Sequence, residues 1–561
     1  MNLSSGAGAA GEAPERRAPP WSELMWNVIV PSGALLPALG AGDTARLARV
    51  SRAARREFAE TPEALWGSVF AGQSREELAR LFWRALRAGQ TAHVAWALRA
   101  ARDFGAGDFR AELLLLRDDN QQNEDEGCLY ACARSNDVAT ARVLLQAASE
   151  AGVLEALLLL LNLGRSCLLP CTRDGHPEML EVLLAGAAAD LRVGGGLSCL
   201  RLLLELPADD DEDNGGSCLY FAVESGNLRT MEVLLAAGHS AGAMRTLLDA
   251  RDGSDSTCMH WAAKMGVSRQ VEMLLEAGGA AGVQLLLARN DDGDTCLHTA
   301  VEFRNMEVVR ALLVAGGPAL ALARGEDGNT ALHDAVQGGD LICIRMLLDV
   351  GGRALLLCVD DTLNSCVHVS AARVCYSEMG RRSVLPVVDA LLGFAHRLDD
   401  SVLGEVLLLR NGQGDSCLMT ATAYRHSGIM RALLRYAGMA GVEQQLLMMT
   451  DDDGDSCLKY AAQASDEAPW PAERQSALVL AALLDSPFAR ELVMLHDADG
   501  CTALRHAAMF GHAQAVRAML EAPGGPEVLA AEGMAALRDA RSEGKLDVAE
   551  VLRKFIFPSE Q

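Results

Sequence analysis

Apolar positions along residues 118–557 recur as pairs of short stripes that are separated by polar turns. In one such unit Thr330 precedes three apolar residues that fall on one helical face, Leu332, Ala335 and Val336. Thr330 is therefore a natural helix N-cap. A second stripe covers about Asp340–Val350, and we expect Gly351 to end it with a positive φ. The pattern predicts one helical hairpin and one turn per unit.

The same phrase recurs along the chain: an acidic Gly turn, then Ser or Thr, Cys or Ala, an aliphatic residue and often His. The clearest copies are DGSDSTCMHWAAKMG from Asp252, DDGDTCLHTAVEFRN from Asp291 and DGNTALHDAVQGG from Asp327. Further copies begin at Gly127, Arg165, Gly216, Asn364, Asp415, Asp455, Cys501 and Met534. A repeat of this length predicts about eleven hairpins that stack into a solenoid and bury a continuous core between layers.

These copies resemble ankyrin repeats, whose family phrase is T-P-L-H-x-A followed by a leucine-rich second helix. Cys or Ala stands here in place of the family's Pro. Extra residues follow the second helix, and the segments from Ala280 and Arg353 are expected to form a short apolar helical turn. Longer insertions at Ser377–Pro386 and Asp466–Glu473 are expected to be loops that could serve recognition.

The predicted fold is all-α: an ankyrin-repeat solenoid of about eleven helical hairpins with a small N-terminal helical module. We expect a disordered leader at residues 1–19, a three-helix module at 20–72, a capping hairpin at 73–117 and the repeat array at 118–557.

Residues 20–72 do not follow the repeat phrase. Their pattern resembles an F-box through Pro20, Glu23, Leu24, Ile29, Leu47, Val50, Ser51, Arg52, Arg55, Leu65 and Trp66. The resemblance implies docking to the adaptor subunit of a cullin-RING ubiquitin ligase, with Pro20, Leu24, Ile29, Leu47, Val50 and Trp66 as the adaptor-binding residues. The alternative is a helical cap that only shields the first repeat.

The chain carries 50 Lys and Arg against 75 Asp and Glu, a net charge of -25. Such a charge repels nucleic acid and anionic membranes, so we expect neither as a partner. Its 15 cysteines recur in phase with the repeat, and the N-terminus has no apolar signal segment. Buried reduced thiols and a cytoplasmic or nuclear location are therefore expected.

The Cys-x-His pairs at Cys258, Cys296 and Cys366 could suggest zinc, but each pair belongs to a separate layer whereas zinc needs convergent ligands. In ankyrin repeats this His braces the turn between neighbours, and we expect that role here. The DDDGD run at 451–455 lacks the register of an EF-hand loop. We expect no metal, no cofactor and no enzymatic activity, since catalytic motifs are missing from the sequence.

The acidic turns are the candidate binding residues of the array. Two interpretations stay open, a solvated turn or an acidic rim that meets a partner with a basic surface. The residues are Asp252, Asp255, Asp292, Asp294, Asp327, Asp453 and Asp455.

Two functions follow from the sequence. The first is protein–protein interaction through the repeats as the substrate-recognition subunit of an F-box type ubiquitin ligase. The second is an ankyrin scaffold or adaptor with no role in ubiquitin transfer.

Overall fold

The computed structural model describes residues 74–102, 109–117, 126–162, 164–189, 196–206, 217–372, 385–463 and 472–558. The leader, the F-box-like module and all six of its predicted adaptor-binding residues lie outside the described residues, as do 373–384 and 464–471 in the two long insertions. The chain forms two compact units, residues 1–203 and 204–561.

The first unit contains a hairpin ahead of the repeats and two repeat hairpins. Ser74 caps the first helix by accepting a hydrogen bond from the backbone N–H of Glu77. The helices are α1 (Arg75–Arg87), α2 (Thr91–Arg102), α3 (Arg110–Leu115), α4 (Cys128–Ser135), α5 (Val138–Ala151), α6 (Leu154–Leu158), α7 (Leu168–Arg173), α8 (Pro177–Ala189) and α9 (Gly196–Glu205), which contains the boundary between the units.

The described residues of the second unit form nine successive helical hairpins. Its helices are α10 (Cys218–Glu224), α11 (Leu228–Ala241), α12 (Met244–Asp249), α13 (Cys258–Met265), α14 (Ser268–Gly278), α15 (Ala280–Leu285), α16 (Cys296–Glu302), α17 (Met306–Ala321), α18 (Ala331–Gly338), α19 (Leu341–Leu356), α20 (Cys366–Ala372), α21 (Leu385–Leu398), α22 (Asp400–Leu407), α23 (Cys417–Ala423), α24 (Ser427–Ala440), α25 (Glu443–Leu447), α26 (Cys457–Gln463), α27 (Ala472–Leu484), α28 (Ala489–Val493), α29 (Ala503–Phe510), α30 (Ala513–Glu521), α31 (Gly525–Ser542) and α32 (Leu546–Ile556).

Each hairpin of the second unit packs on the next through two rows of helices. The first helices contact one another in the order α10, α13, α16, α18, α20, α23, α26, α29 and α31. The second helices contact one another in the order α11, α14, α17, α19, α21, α24, α27, α30 and α32. With the pairs α4–α5 and α7–α8, a hairpin lies at each of the eleven sequence copies. The prediction of an all-α ankyrin-repeat solenoid is confirmed.

The residues added after the second helix form the short helical turn that the sequence predicts. In one repeat this helical turn is the separate helix α15. In two others it forms the last part of α17 and of α19, after a glycine whose backbone is not helical. The predicted exit at Gly351 is wrong by one residue, because the positive φ of 57° belongs to Gly352. Gly351 is needed for space instead, since a Cβ there would lie 2.5 Å from Cβ of Leu355.

Candidate functional site

Among the described residues, seven of the first helices of unit two follow a seven-residue turn, which we call a finger. The first and last residues form an antiparallel bridge in six of these fingers, and in the finger 289–295 the N–H of Asn290 donates to the carbonyl of Asp294. The last residue of each finger is the Ser or Thr that precedes the following helix. Their fifth position has a positive φ throughout, and Asp255 and Leu363 occupy it in two fingers where the other five have Gly. The fingers span residues 251–257, 289–295, 324–330, 359–365, 410–416, 450–456 and 496–502.

An Asp or Asn at the second finger position fixes the shape of the turn. One carboxylate oxygen of Asp252 accepts the backbone N–H groups of Ser254 and Ser256, both at 2.9 Å. This is a local side-chain turn of the kind that Asp and Asn favour. In other fingers the backbone N–H groups two and four residues further along the chain donate in the same way to the side chains of Asp360, Asn411, Asp451 and Asp497.

Three of these carboxylates also accept a hydrogen bond from the fourth residue of the following helix. The donors are Nε1 of Trp261, the hydroxyl of Tyr460 and Nε2 of His506, at 2.6, 2.9 and 2.7 Å from Asp252, Asp451 and Asp497. In these three repeats the side chain at the fourth helix position therefore connects the finger to the helix that follows it by a hydrogen bond.

Neighbouring fingers are joined by hydrogen bonds along the row. The backbone N–H of Asp291 donates to the carbonyl of Ser254 at 3.0 Å, and that of Asp361 donates to the carbonyl of Asp327 at 2.8 Å. Equivalent bonds link the next three pairs of fingers at 2.8, 3.3 and 3.4 Å. The finger tips are therefore held at fixed spacing in a row.

Four first helices carry a histidine at their third position, and in three of them this histidine connects the repeat to the next finger. Nδ1 of His260 accepts hydrogen bonds from the N–H and the hydroxyl of Thr257, and Nε2 donates to the carbonyl of Asp294. His298 and His368 make the same contacts with their own caps and following fingers. Burial lowers the pKa of both His298 and His368 to about 4, so the rings are neutral at pH 7. The predicted bracing role of these histidines is confirmed.

The same helix position holds a different side chain in the last three fingered repeats, Met419, Lys459 and Arg505. Nζ of Lys459 contacts a carboxylate oxygen of Asp455 and lies 2.8 Å from Oδ2 of Asp497 in the next finger. The lysine thus reaches the following finger as the histidines do, but through a buried ion pair.

The seven predicted acidic residues divide into two groups. Asp252 holds its own finger, Asp255 pairs with Arg251, and Asp455 pairs with Lys459. Asp294 is half-buried and one of its carboxylate oxygens accepts the N–H of Glu326 from the next finger at 3.3 Å. Only three of the seven side chains are exposed and free of any ion pair among the described residues, namely Asp292, Asp327 and Asp453.

Sequence reasoning missed exposed acidic tips that lie beside these three. The missed residues are Asp291, Glu326, Asp361, Asp452 and Asp499, which occupy the third or fourth finger position. The signal was present in the sequence, because the third and fourth positions of a seven-residue finger point away from its bridge. Arg324 lies 3.7 Å from Asp361, and the other four have no ion pair among the described residues.

Large apolar side chains are exposed at the C-terminal ends of four first helices, at the eighth position counted from the helix start. We call this surface the first-helix face. Nζ of Lys264 lies 4.2 Å from the ring centre of Trp261 and 5.5 Å from that of Phe303, so the face already holds one cation. The apolar residues and their exposed fractions are Met265 (43%), Phe303 (46%), Tyr424 (47%) and Phe510 (50%).

Asp334 lies on the same face, at the fourth position of α18. Burial and, to a smaller extent, the nearby carboxylates of Asp294 and Glu302 raise its pKa to about 7. Among the described residues, no hydrogen bond or ion pair engages this carboxylate. The first-helix face therefore contains a desolvated acidic group that lacks a cationic partner.

Comparison with known proteins supports the repeat assignment. Residues 279–355 match the family model of ankyrin repeats in three copies. No curated protein matches the sequence. The ankyrin repeat domain of Bcl-3, a member of the IkappaB family, is 23% identical, covers 44% of this chain and 93% of its own, and has a TM-score of 0.34.

Two bacterial structures are similar at the same level. A predatory endopeptidase in complex with its immunity protein, from Bdellovibrio bacteriovorus, gives a match of 21% identity over 39% of this chain and 96% of that one, with a TM-score of 0.30. An ankyrin repeat domain from Acinetobacter baumannii gives 22% identity over 40% and 95%, with a TM-score of 0.30.

The chain contains ankyrin repeats, and this class of fold implies protein–protein interaction. Ankyrin stacks are interaction scaffolds rather than catalytic folds. None of the described helices combines the length and the apolar character that a membrane span needs.

Proposed function

We propose that the second unit binds a protein partner that has a basic surface, using the finger row and the adjoining first-helix face. The observation that carries the proposal is a row of exposed tip carboxylates that form no ion pair within the described part of the chain, at Asp291, Asp292, Glu326, Asp327, Asp452, Asp453 and Asp499. The hydrogen bonds between fingers keep these charges at fixed spacing before a partner arrives, so little order has to be gained on binding.

The first-helix face would supply the apolar contacts of such an interface. Half-exposed aromatic residues such as Phe303 and Phe510 give large contact areas at low entropic cost. A basic side chain of the partner would also meet Asp334, whose carboxylate has no partner within the described chain. Electrostatic attraction to a chain of net charge -25 would chiefly raise the association rate.

The test is affinity capture from a cell extract with the full chain, compared with a variant that carries Asp292→Lys, Asp327→Lys and Asp453→Lys. The matched control reverses three exposed acidic residues on the second helices, Glu272→Lys, Glu307→Lys and Asp349→Lys. We expect the finger variant to lose its basic partners by at least about tenfold while the control retains them. Equal losses in both variants would show that net charge, and not the fingers, determines binding.

We further propose that the partner is a substrate and that residues 20–72 link the chain to a cullin-RING ubiquitin ligase. This step is supported by the F-box-like sequence pattern alone. The test is co-purification of the ligase adaptor with the full chain and with the double variant Leu24→Asp, Val50→Asp. The control changes two exposed apolar residues of unit two, Val314→Asp and Leu546→Asp.

Adaptor binding that survives Leu24→Asp with Val50→Asp would contradict the ligase role. Partner capture that depends on the fingers, together with no adaptor binding, would instead identify a scaffold without a role in ubiquitin transfer. The two experiments therefore fail independently of each other.

A further inference from the structure

A carboxylate, a thiol and an imidazole converge in the last finger. One donor atom each of Asp497, Cys501 and His506 lies within 4.8 Å of the other two. The three residues are of intermediate burial, although the Asp497 side chain itself is only 3% exposed. Within the described ranges, no other group of three His, Cys, Asp or Glu side chains brings its donor atoms this close.

The ankyrin pattern explains neither the thiol nor the imidazole. Cys501 occupies the sixth finger position, which in the other six fingers is Ser, Asp or Asn. The cysteine of the repeat phrase lies two residues later and is buried in its helix, as at Cys296 and Cys417, whereas Ala503 fills that position here. His506 occupies the fourth helix position, where Trp261 and Tyr460 make the same hydrogen bond without an imidazole.

The charges around the cluster favour a cation. The charged groups that interact electrostatically with the Cys501 thiol are the guanidinium of Arg505 and the carboxylates of Asp497, Asp499 and Glu532. Such an excess of negative charge attracts a divalent cation to the finger.

One positive group opposes a cation, since Nζ of Lys459 lies 2.8 Å from Oδ2 of Asp497. Lys459 also pairs with Asp455, so the ammonium group keeps one carboxylate partner when a cation binds Asp497.

We propose that Asp497, Cys501 and His506 bind a zinc ion, with water in the fourth position. Zinc accepts oxygen, nitrogen and sulfur ligands together, whereas calcium and magnesium require oxygen ligands. Tetrahedral bonds of 2.0 to 2.3 Å place ligand atoms about 3.5 Å apart, so small side-chain shifts complete the site. On binding, the thiol releases its proton to the solvent, and the imidazole carries its proton on Nδ1 so that Nε2 faces the metal.

The structure offers two conservative variants that remove a ligand. Cys501→Ser places a serine where another finger has Ser256, and His506→Tyr places a tyrosine where another first helix has Tyr460. Both should fold, because other repeats of this chain already use them. Cys358→Ser is the control, since Cys358 is the other cysteine among the described residues that is not buried.

The experiment titrates the full chain with Co²⁺, a spectroscopic substitute for zinc, and follows the near-ultraviolet charge-transfer absorption of a cobalt–thiolate bond. Wild type and Cys358→Ser are expected to show the band and to lose it when Zn²⁺ is added. Cys501→Ser should abolish the band, and His506→Tyr should weaken Co²⁺ binding at least tenfold. Ca²⁺ should have no effect.

The absence of a cobalt–thiolate band in wild type would overturn the proposal. A band that persists in Cys501→Ser, or that disappears only in Cys358→Ser, would also overturn it, because the metal would then be bound elsewhere. Circular dichroism of each variant confirms that a lost band reflects a lost ligand and not an unfolded repeat.

Discussion

Nε2 of His260 lies 3.0 Å from the carbonyl oxygen of Asp294, which belongs to the finger of the next repeat. Because Nδ1 of the same ring accepts the N–H of Thr257, the imidazole caps its own helix and supports the following finger at once. The finger row is therefore stabilised by the same residues that stabilise the solenoid. Residues such as His260 therefore hold the fingers in place, whereas the exposed acidic residues at the finger tips form their surface.

Replacing this histidine should lower the stability of the stack. His260→Ala removes the bond to Asp294 and leaves the N–H of Thr257 without an acceptor in a buried site, which should cost about 2–4 kcal/mol in the free energy of unfolding. Chemical denaturation followed by circular dichroism measures the change. The control is His239→Ala at an exposed histidine, which should change stability by less than about 0.5 kcal/mol. Equal effects would show that the imidazole contacts are unimportant.

The buried histidines also predict how stability depends on pH. The folded pKa of His298 and of His368 is about 4, below the ordinary value of 6.5, so the unfolded chain binds more protons between these limits. Stability should therefore be complete above pH 6.5 and fall as the pH decreases towards 4. Each histidine accounts for a loss of about 3 kcal/mol in the free energy of unfolding over the whole pH range from 6.5 to below 4. Asp334 acts in the opposite direction, because its pKa is raised to about 7 and its protonation below that value favours the folded state.

A single substitution isolates the histidine contribution from that of Asp334. The free-energy difference between wild type and His368→Asn should be about 2 kcal/mol smaller at pH 5 than at pH 7, because by pH 5 the wild type has lost most of what the neutral ring contributes. Urea denaturation at the two pH values measures it. A difference that is constant with pH would mean that His368 is not held neutral by burial.

The repeat architecture could be predicted from the sequence because its signals are local. Thr330, the glycine stops and the apolar stripes each act within one hairpin, and stacking follows from their periodicity. The surface could not be predicted in the same way. Whether Asp252 faces a partner or closes its own turn depends on the N–H groups of Ser254 and Ser256, and the composition of the turn does not show this.

Asp252 provides a test of that distinction. Asp252→Asn should cost about 1 kcal/mol, because its carbonyl oxygen keeps both backbone N–H groups, as Asn411 does in another finger, while its NH2 cannot accept Nε1–H of Trp261. Asp252→Ala should cost about 2–3 kcal/mol, since two backbone N–H groups and Nε1 of Trp261 lose their acceptor. Thermal denaturation compares the two variants. A similar loss in both would show that the charge of Asp252, and not its turn geometry, matters.

Leu363 is held in a backbone conformation that favours glycine. Its φ is 60°, it occupies the fifth finger position, and the residue is 49% exposed. A left-handed conformation costs a residue with a Cβ about 1–2 kcal/mol, part of which glycine returns through its greater freedom in the unfolded chain. Leu363→Gly should therefore raise the free energy of unfolding by about 0.5–1 kcal/mol.

The reciprocal change, Gly500→Leu, is the matched control. Gly500 occupies the same finger position with a φ of 72°, and no atom within 4 Å would contact an added Cβ, so only the backbone cost is measured. It should destabilise the chain by about the amount that Leu363→Gly stabilises it. If Leu363→Gly stabilises the fold but weakens partner capture, the exposed leucine contributes to the interface. The strained backbone at this finger would then serve binding. Unchanged capture would assign the leucine no part in the interface.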